Sequence, residues 1–123
     1  MTYQRIHLGQ KGEDLAVTCL KEHGYEIIER NARGRRGEID IIARDGETVC
    51  FIEVKTRSSD AMGLPAEAIS FYKQRKMAYL ALSYLKANRL EEMGVRFDVV
   101  SVLMGNNSAP QVELIQGAFE VNY

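Results

Sequence analysis

Asp40 stands between Ile39 and Ile41, and Glu53 stands between Ile52 and Val54, with Lys55 two residues further on. Each apolar triplet suits a buried sheet strand, yet each holds a carboxylate. Such a group is costly to take out of water unless it is paired or holds a metal. Asp45-Gly46 reads as a two-residue hairpin turn joining strands near Glu38–Arg44 and Thr48–Arg57. With Arg44 opposite Glu47, Asp40 is expected to face Phe51, and Glu38 to face Glu53. Strand alternation then collects Ile39, Ile41, Ala43, Cys50, Ile52 and Val54 on one face. The other face takes Glu38, Asp40, Ile42, Val49, Phe51, Glu53 and Lys55. Asp40 and Glu53 become diagonal neighbours, about 7–8 Å apart at the backbone, within reach of one ion. A three-residue bulged turn would change this register. Like charges opposite each other destabilise a sheet, so a cation is the missing partner. No His or Cys lies on that face, and oxygen ligands alone select a hard divalent ion, Mg2+ or Mn2+. The competing reading is an exposed sheet face neutralised by Lys55.

The elements that must position these groups follow from periodicity. A helix is expected from about Leu8 to His23, capped by Gly24, with Leu8, Leu15, Ala16, Cys19 and Leu20 as its apolar stripe. Gly9 and Gly12 would allow close backbone approach. Next come a short strand over "YEIIERN", an arginine-rich loop and the hairpin. The loop "SSDAMGLPAEA" leads to a helix from about Ser70 to Asn88. Two strands follow, "VRFDVVSVLM" and, after the turn "GNNSAP", "QVELIQGAFEV". The hairpin pair must be antiparallel, and the strand after the long helix can join in parallel by a crossover. A five-stranded mixed sheet with helices on both faces is the α/β architecture expected.

At 123 residues, 46% hydrophobic and 27% charged, the chain is expected to fold as a single domain over residues 1–123 with its own core. No apolar run approaches the roughly 18 residues of a membrane span, and the N-terminus has no signal-peptide core, so a cytoplasmic location without membrane contact is expected. Cys19 and Cys50 are far apart with no CxxC spacing, which argues against zinc and for two buried thiols. Net charge is −1, but its distribution is uneven. "RNARGRRG" carries Arg30, Arg33, Arg35 and Arg36 without an acid, and "KQRK" runs from Lys73 to Lys76. Separated basic patches around an acidic centre suit phosphate binding, and equally a solvated loop and helix start.

Asp40 followed by Glu53-Val54-Lys55 resembles the PD-(D/E)xK nuclease signature. The surrounding "GEIDIIARDG…FIEVKTR", preceded by "GEDLAVTCLKEHGYEIIERNAR", is similar to the bacterial YraN-like family, which is related to restriction endonucleases and archaeal Holliday-junction resolvases. The likeness covers about Gly9 to Lys76. Ile39 replaces the signature's usual proline, as in resolvase-like members. The resemblance implies a restriction-endonuclease-like three-layer fold. It also implies Asp40 and Glu53 as metal ligands, the Val54 carbonyl as a further one, and Lys55 orienting or activating the attacking water. Glu13 matches the acidic residue of the first helix. Its helical position, at the border of the apolar stripe, suits either an active-site edge or the surface, whereas Asp14 points outward. Glu38 either joins the site or steadies the basic loop. Lys73 extends the buried line of Met77, Leu80 and Tyr84, either toward the site or as a snorkelling side chain. Gln74 matches a position where related nucleases carry a polar helper.

The function expected is a Mg2+- or Mn2+-dependent endonuclease acting on DNA rather than RNA, branched or otherwise structured DNA in particular. The four arginines would hold backbone phosphates, and the resolvase resemblance makes a homodimer plausible. The alternative is a nucleic-acid-binding or partner-binding module that keeps the fold without cutting. An interaction protein without nucleic acid is a third class. An intact Asp40, Glu53 and Lys55 favours the enzyme, since a binding module needs no such set.

Overall fold

The computed structural model describes residues 3–58, 69–105 and 108–121, with side chains from residue 8 onward. Helix α1 spans Tyr3–Glu22 and is followed by β1 (Glu26–Gly34), β2 (Gly37–Asp45) and β3 (Thr48–Ser58). Helix α2 (Phe71–Ala87) precedes β4 (Gly94–Met104) and β5 (Gln111–Phe119). The five strands lie in sequence order in one sheet. β3 and β4 are parallel, and every other pair is antiparallel. This is the restriction-endonuclease-like α/β arrangement, a mixed sheet flanked by two helices.

Both helices end where local chemistry dictates. Gly24 takes φ +85, the Tyr25 amide donates to the Leu20 carbonyl and the Gly24 amide to that of Lys21. That pair of bonds is a Schellman cap. At the start of α2, the Ser70 hydroxyl accepts from the Lys73 amide at 3.1 Å. At its end the Asn88 side chain donates to the Tyr84 carbonyl at 2.8 Å.

Each sheet face carries its own core. Ala16 and Leu20 of α1 pack with Ile41, Ala43, Cys50, Ile52, Val100 and Val102. Met77, Leu80, Ala81 and Leu85 of α2 pack with Ala32, Ile39, Ile42, Val49 and Phe51, while Tyr84 is half-buried against the ring of Phe51. Because β2 and β3 are covered on both sides, they read as nearly continuous apolar runs. Gly12 fits the close approach expected of it, since a Cβ there would overlap the Thr56 side chain on β3. Gly9 does not, for nothing lies near where its Cβ would point.

Three expectations are corrected. The hairpin turn is Gly46-Glu47, with Asp45 paired to Thr48 and Ile42 to Phe51. Glycine takes the positive φ (+62) at the first loop position. The Asp45 carboxylate meanwhile pairs with Arg96 at 2.9 Å, holding Asp45 in the ladder. Glu38 therefore faces Arg33 on β1, not Glu53. Second, the arginine-rich segment is mostly strand: β1 runs to Gly34, paired with Gly37, and only Arg35 and Arg36 form the turn. An edge strand tolerates such charge because one side of it stays wet. Third, Ile39 joins the core under α2 instead of lying beside Ile41. The expected loop after Ser58, and Asn106-Asn107 of the following turn, lie outside the described residues. Cys50 is buried and Cys19 half-buried, both as free thiols. Among the described residues no helix is long and apolar enough to cross a membrane.

Candidate metal centre

The sheet forks at the hairpin acids. β2 and β3 pair only as far as Ile41 with Ile52. Beyond that point β2 stays on β1 as far as the Gly34–Gly37 pair, while β3 stays on β4 as far as the Ser58–Met104 pair. Asp40 and Glu53 are the first residues past the last shared pair. The Asp40 carboxylate fills the gap in the ladder by accepting the Val54 amide at 2.8 Å. Across β1, Asn31 adopts φ +54 between the Arg30–Ile41 and Ala32–Ile39 pairs, and strand alternation breaks there. Asn is among the few residues besides glycine that enter this region readily.

Asp40 consequently turns into a cleft of about 940 Å³ on the α1 side, lined also by Gln10, Glu13, Glu38, Val54 and Thr56. Glu53 approaches from the α2 side, where the Lys73 ammonium lies 3.4 Å from its carboxylate. Asp40 and Glu53, expected on one face, thus approach from two sides of the fork. Strand alternation keeps Lys55 on the side of Glu53, opposite to Val54 and Thr56 in the cleft.

The electrostatics couple the two sides. Burial, then the charge of Glu53, push the Asp40 carboxyl up to about 7, against the Val54 amide and the charge of Lys73, which lower it. Burial also raises Glu53, with Lys73, Lys55 and Lys76 opposing. Desolvation outweighs the surrounding lysines, so both acids hold their protons more tightly than in water. Among the described residues no group of three His, Cys, Asp or Glu side chains is spaced to hold a metal. The oxygen donors at the fork, Asp40, Glu53 and the Val54 carbonyl, suit a hard divalent cation chemically.

Glu13 lies at this cleft and is tied down, with a side chain 15% exposed. It accepts from Arg30 Nε at 2.8 Å and from Asn31 Nδ2 at 3.1 Å. Arg30 also bonds Asp14 at 2.7 Å, so this arginine joins β1 to α1 instead of standing free for phosphate. Arg33 is 85% exposed, 3.5 Å from Glu38. Arg35 and Arg36 are exposed at the β1–β2 turn. Gln74 turns back to donate to the Ile69 carbonyl at 2.9 Å, supporting the start of α2. Thr56, Gln10 and Asn31 escaped the sequence reading; for the last the one local signal is that Asn tolerates positive φ.

A second polar cluster also escaped it. Asp98, fully buried in β4, accepts from Tyr25 Oη at 2.7 Å, Arg96 Nε at 2.8 Å and the Gly117 amide at 2.9 Å. Arg96 bonds Tyr25 and Asp45 as well, and Gln116 donates to Tyr25. Every member has a partner, which makes this a brace joining the end of α1, the hairpin and β5.

The family model described as "Uncharacterised protein family UPF0102" matches residues 12–102. The chain belongs to this family. A UPF0102 protein of Geobacter metallireducens is 48% identical over 123 residues, which is all of both chains. One from Rhodococcus opacus is 47% identical over 114 residues, 93% of this chain and 97% of the relative. One from Geotalea daltonii is 45% identical over 116 residues, 94% and 91% of the two chains. The UPF0102 match contains Glu13, Asp40, Glu53, Lys55 and the whole of α2, and so takes in most of the stretch that carries the YraN-like resemblance.

Proposed function

We propose that this UPF0102 protein is a divalent-metal-dependent endonuclease that hydrolyses phosphodiester bonds in DNA, with branched or structured DNA as its substrate and DNA preferred to RNA. The observation that carries the reading is the fork itself. It holds Asp40 and Glu53 close enough for one charge to raise the other's pKa, in a partly buried setting that an isolated sheet would avoid. In this reading Asp40, Glu53 and the Val54 carbonyl hold Mg2+ or Mn2+. When bound, such an ion stabilises negative charge on the phosphate and lowers the pKa of the attacking water. Lys55, whose charge reaches Glu53, orients that water or the phosphate. Glu13 closes the cleft on the α1 side, while Arg30 and Asn31 fix its position. Lys73 stabilises Glu53 as an anion until the ion takes that role. Arg33, Arg35 and Arg36 hold backbone phosphates, giving affinity without reading sequence. The work is assigned to the cytoplasm, and a homodimer would bring two such clefts to a branched substrate.

One observation favours a second reading, a nucleic-acid-binding or partner-binding module without catalysis. Lys73 already lies beside the Glu53 carboxylate, an internal cation where the ion would sit. Cleavage of duplex, flap and four-way-junction DNA, measured beside Mn2+ affinity, separates the two. Glu53→Gln should abolish both. Lys55→Ala should keep Mn2+ binding and lose most cleavage. Wild-type protein that neither binds Mn2+ nor cuts any of these substrates would establish the module instead.

A further inference from the structure

The outer surface of α2 leaves its aromatic rings in water. Phe71 is 71% exposed, Tyr72 77% and Tyr79 45%. Scattered exposed apolar residues are ordinary, but these three share the first half of one helix with cations set among them. The Arg36 guanidinium lies over the Tyr79 ring, 4.6 Å from its centroid, and Arg75 lies 5.8 Å from that of Phe71. Arg36, Tyr72, Arg75, Lys76 and Tyr79 together line a shallow cavity of about 450 Å³. Lys76 lies against the β1–β2 turn: its stem crosses Gly37, where a Cβ would collide with it and where φ is +144. Helix α2 has no acid among its 17 residues. Among the described residues, Glu120 lies at the far edge beside Phe71 and Arg75, and the charge of Glu53 reaches Lys76 at the inner edge.

We infer that this face of α2, with the β1–β2 turn, binds unpaired nucleotides of a nucleic-acid strand. Bases stack on Tyr72, Phe71 and the Arg36-covered Tyr79, while Arg36, Arg75 and Lys76 hold the flanking phosphates. Stacking rings interleaved with cations are what a flexible strand needs, because every base offers a π-face and every linkage a charge. Protein interfaces also enrich Tyr, Phe and Arg, so a second copy of this chain is the competing occupant that the test separates. The run of cations without an acid on α2 favours the phosphate-bearing strand. In a duplex, paired bases are already stacked, so the rings gain little from it. Lys73 stands one helical turn from Lys76 on the same helix and beside Glu53, so a strand lying on this face can run toward the fork. The inference deepens the phosphodiester reading and rests on it for that direction alone, since binding itself needs neither metal nor cleavage.

The test is fluorescence anisotropy in EDTA, using a labelled oligothymidylate of about twelve nucleotides and a labelled duplex of equal length. Wild-type protein should bind the single strand more tightly than the duplex. Tyr72→Ala should weaken single-strand binding about tenfold and leave duplex binding within about twofold, whereas Tyr72→Phe should behave as wild type. Phe71→Ala gives an independent second variant, and thermal melting of each confirms the fold. Equal affinity for the two probes, or equal losses on both with Tyr72→Ala, would overturn the inference. So would a wild-type dimer dispersed by Tyr72→Ala with oligothymidylate binding unchanged, which would assign the face to a second copy of the chain. Ring-dependent single-strand binding without cleavage of duplex, flap or four-way-junction DNA under Mg2+ or Mn2+ would sink the nuclease reading and leave this one standing. Metal-dependent cleavage with no single-strand preference would do the reverse.

Discussion

Replacing Asp40 by asparagine should make the metal-free protein more stable at neutral pH, although it removes a residue at the heart of the proposed site. The Asp40 carboxyl is pushed from 3.8 up to about 7, chiefly by burial and by Glu53. Because the folded value is raised, native protein keeps this proton over a window in which unfolded chain has lost it. Stability therefore falls as pH climbs from about 4 to about 7, and the loss is complete above that window. At about 1.4 kcal/mol for each pH unit of displacement the full effect is about 4 kcal/mol. Screening in an open cleft lowers that to about 2–4 kcal/mol. Asparagine keeps an oxygen for the Val54 amide, bound at 2.8 Å in the wild type, and cannot ionise. The assay is chemical unfolding of both proteins in EDTA at several pH values from 4 to 8. The Asp40→Asn variant should match wild type near pH 4 and exceed it by about 2–4 kcal/mol at pH 8, a gap of roughly 10 °C in melting temperature. Mn2+ at a hundredfold its dissociation constant should then stabilise wild type alone by about 2.7 kcal/mol. A gap that stays constant across the pH range, or a variant less stable at pH 8, would refute the account of a desolvated, Glu53-coupled carboxyl.

The exposed arginines should act through counterions. Combined alanine substitution of Arg33, Arg35 and Arg36 should weaken DNA binding for all sequences and flatten log affinity against log salt by up to about 0.9 for each phosphate no longer neutralised. An unchanged slope would place the phosphate-binding groups elsewhere. The buried brace should behave in the opposite way to Asp40. Asp98→Ala removes the shared acceptor of Tyr25, Arg96 and the Gly117 amide, while Arg96 keeps Asp45 and Tyr25 keeps Gln116. It should lower unfolding free energy by about 3 kcal/mol, with Tyr25→Phe costing about 1–3 kcal/mol. Urea unfolding at pH 7 checks both, and losses under about 1 kcal/mol would show that solvent replaces the missing bonds.

Much of this molecule follows from local patterns. Apolar periodicity and caps place α2 within a residue at either end, and the Gly24 cap closes α1 as expected. The order of helices and strands and the antiparallel hairpin follow from turn chemistry and chain length. Carboxylates embedded in apolar triplets mark Asp40 and Glu53 as residues needing an explanation before any tertiary neighbour is known. Register does not follow in the same way. Alternation has a period of two, so sliding the hairpin partner by two residues leaves every residue of the paired region on its expected face. Only Gly46 in the first loop position, with Asp45 held by Arg96, selects the pairing that forms. The fork is a tertiary decision too. It depends on Asn31 in a left-handed conformation, on the Asp40–Val54 bond that replaces a ladder bond, and on α1 lying against Thr56 at Gly12. Those interactions join residues distant in sequence, and they turn Asp40 toward α1 while leaving Glu53 with Lys73. The same holds for the arginines. Composition presents four equivalent cations, and packing separates them: Arg30 is bound to Glu13 and Asp14, while Arg36 is laid over Tyr79. A charge's role depends on which partner lies within hydrogen-bond reach, and chain folding alone brings such partners together.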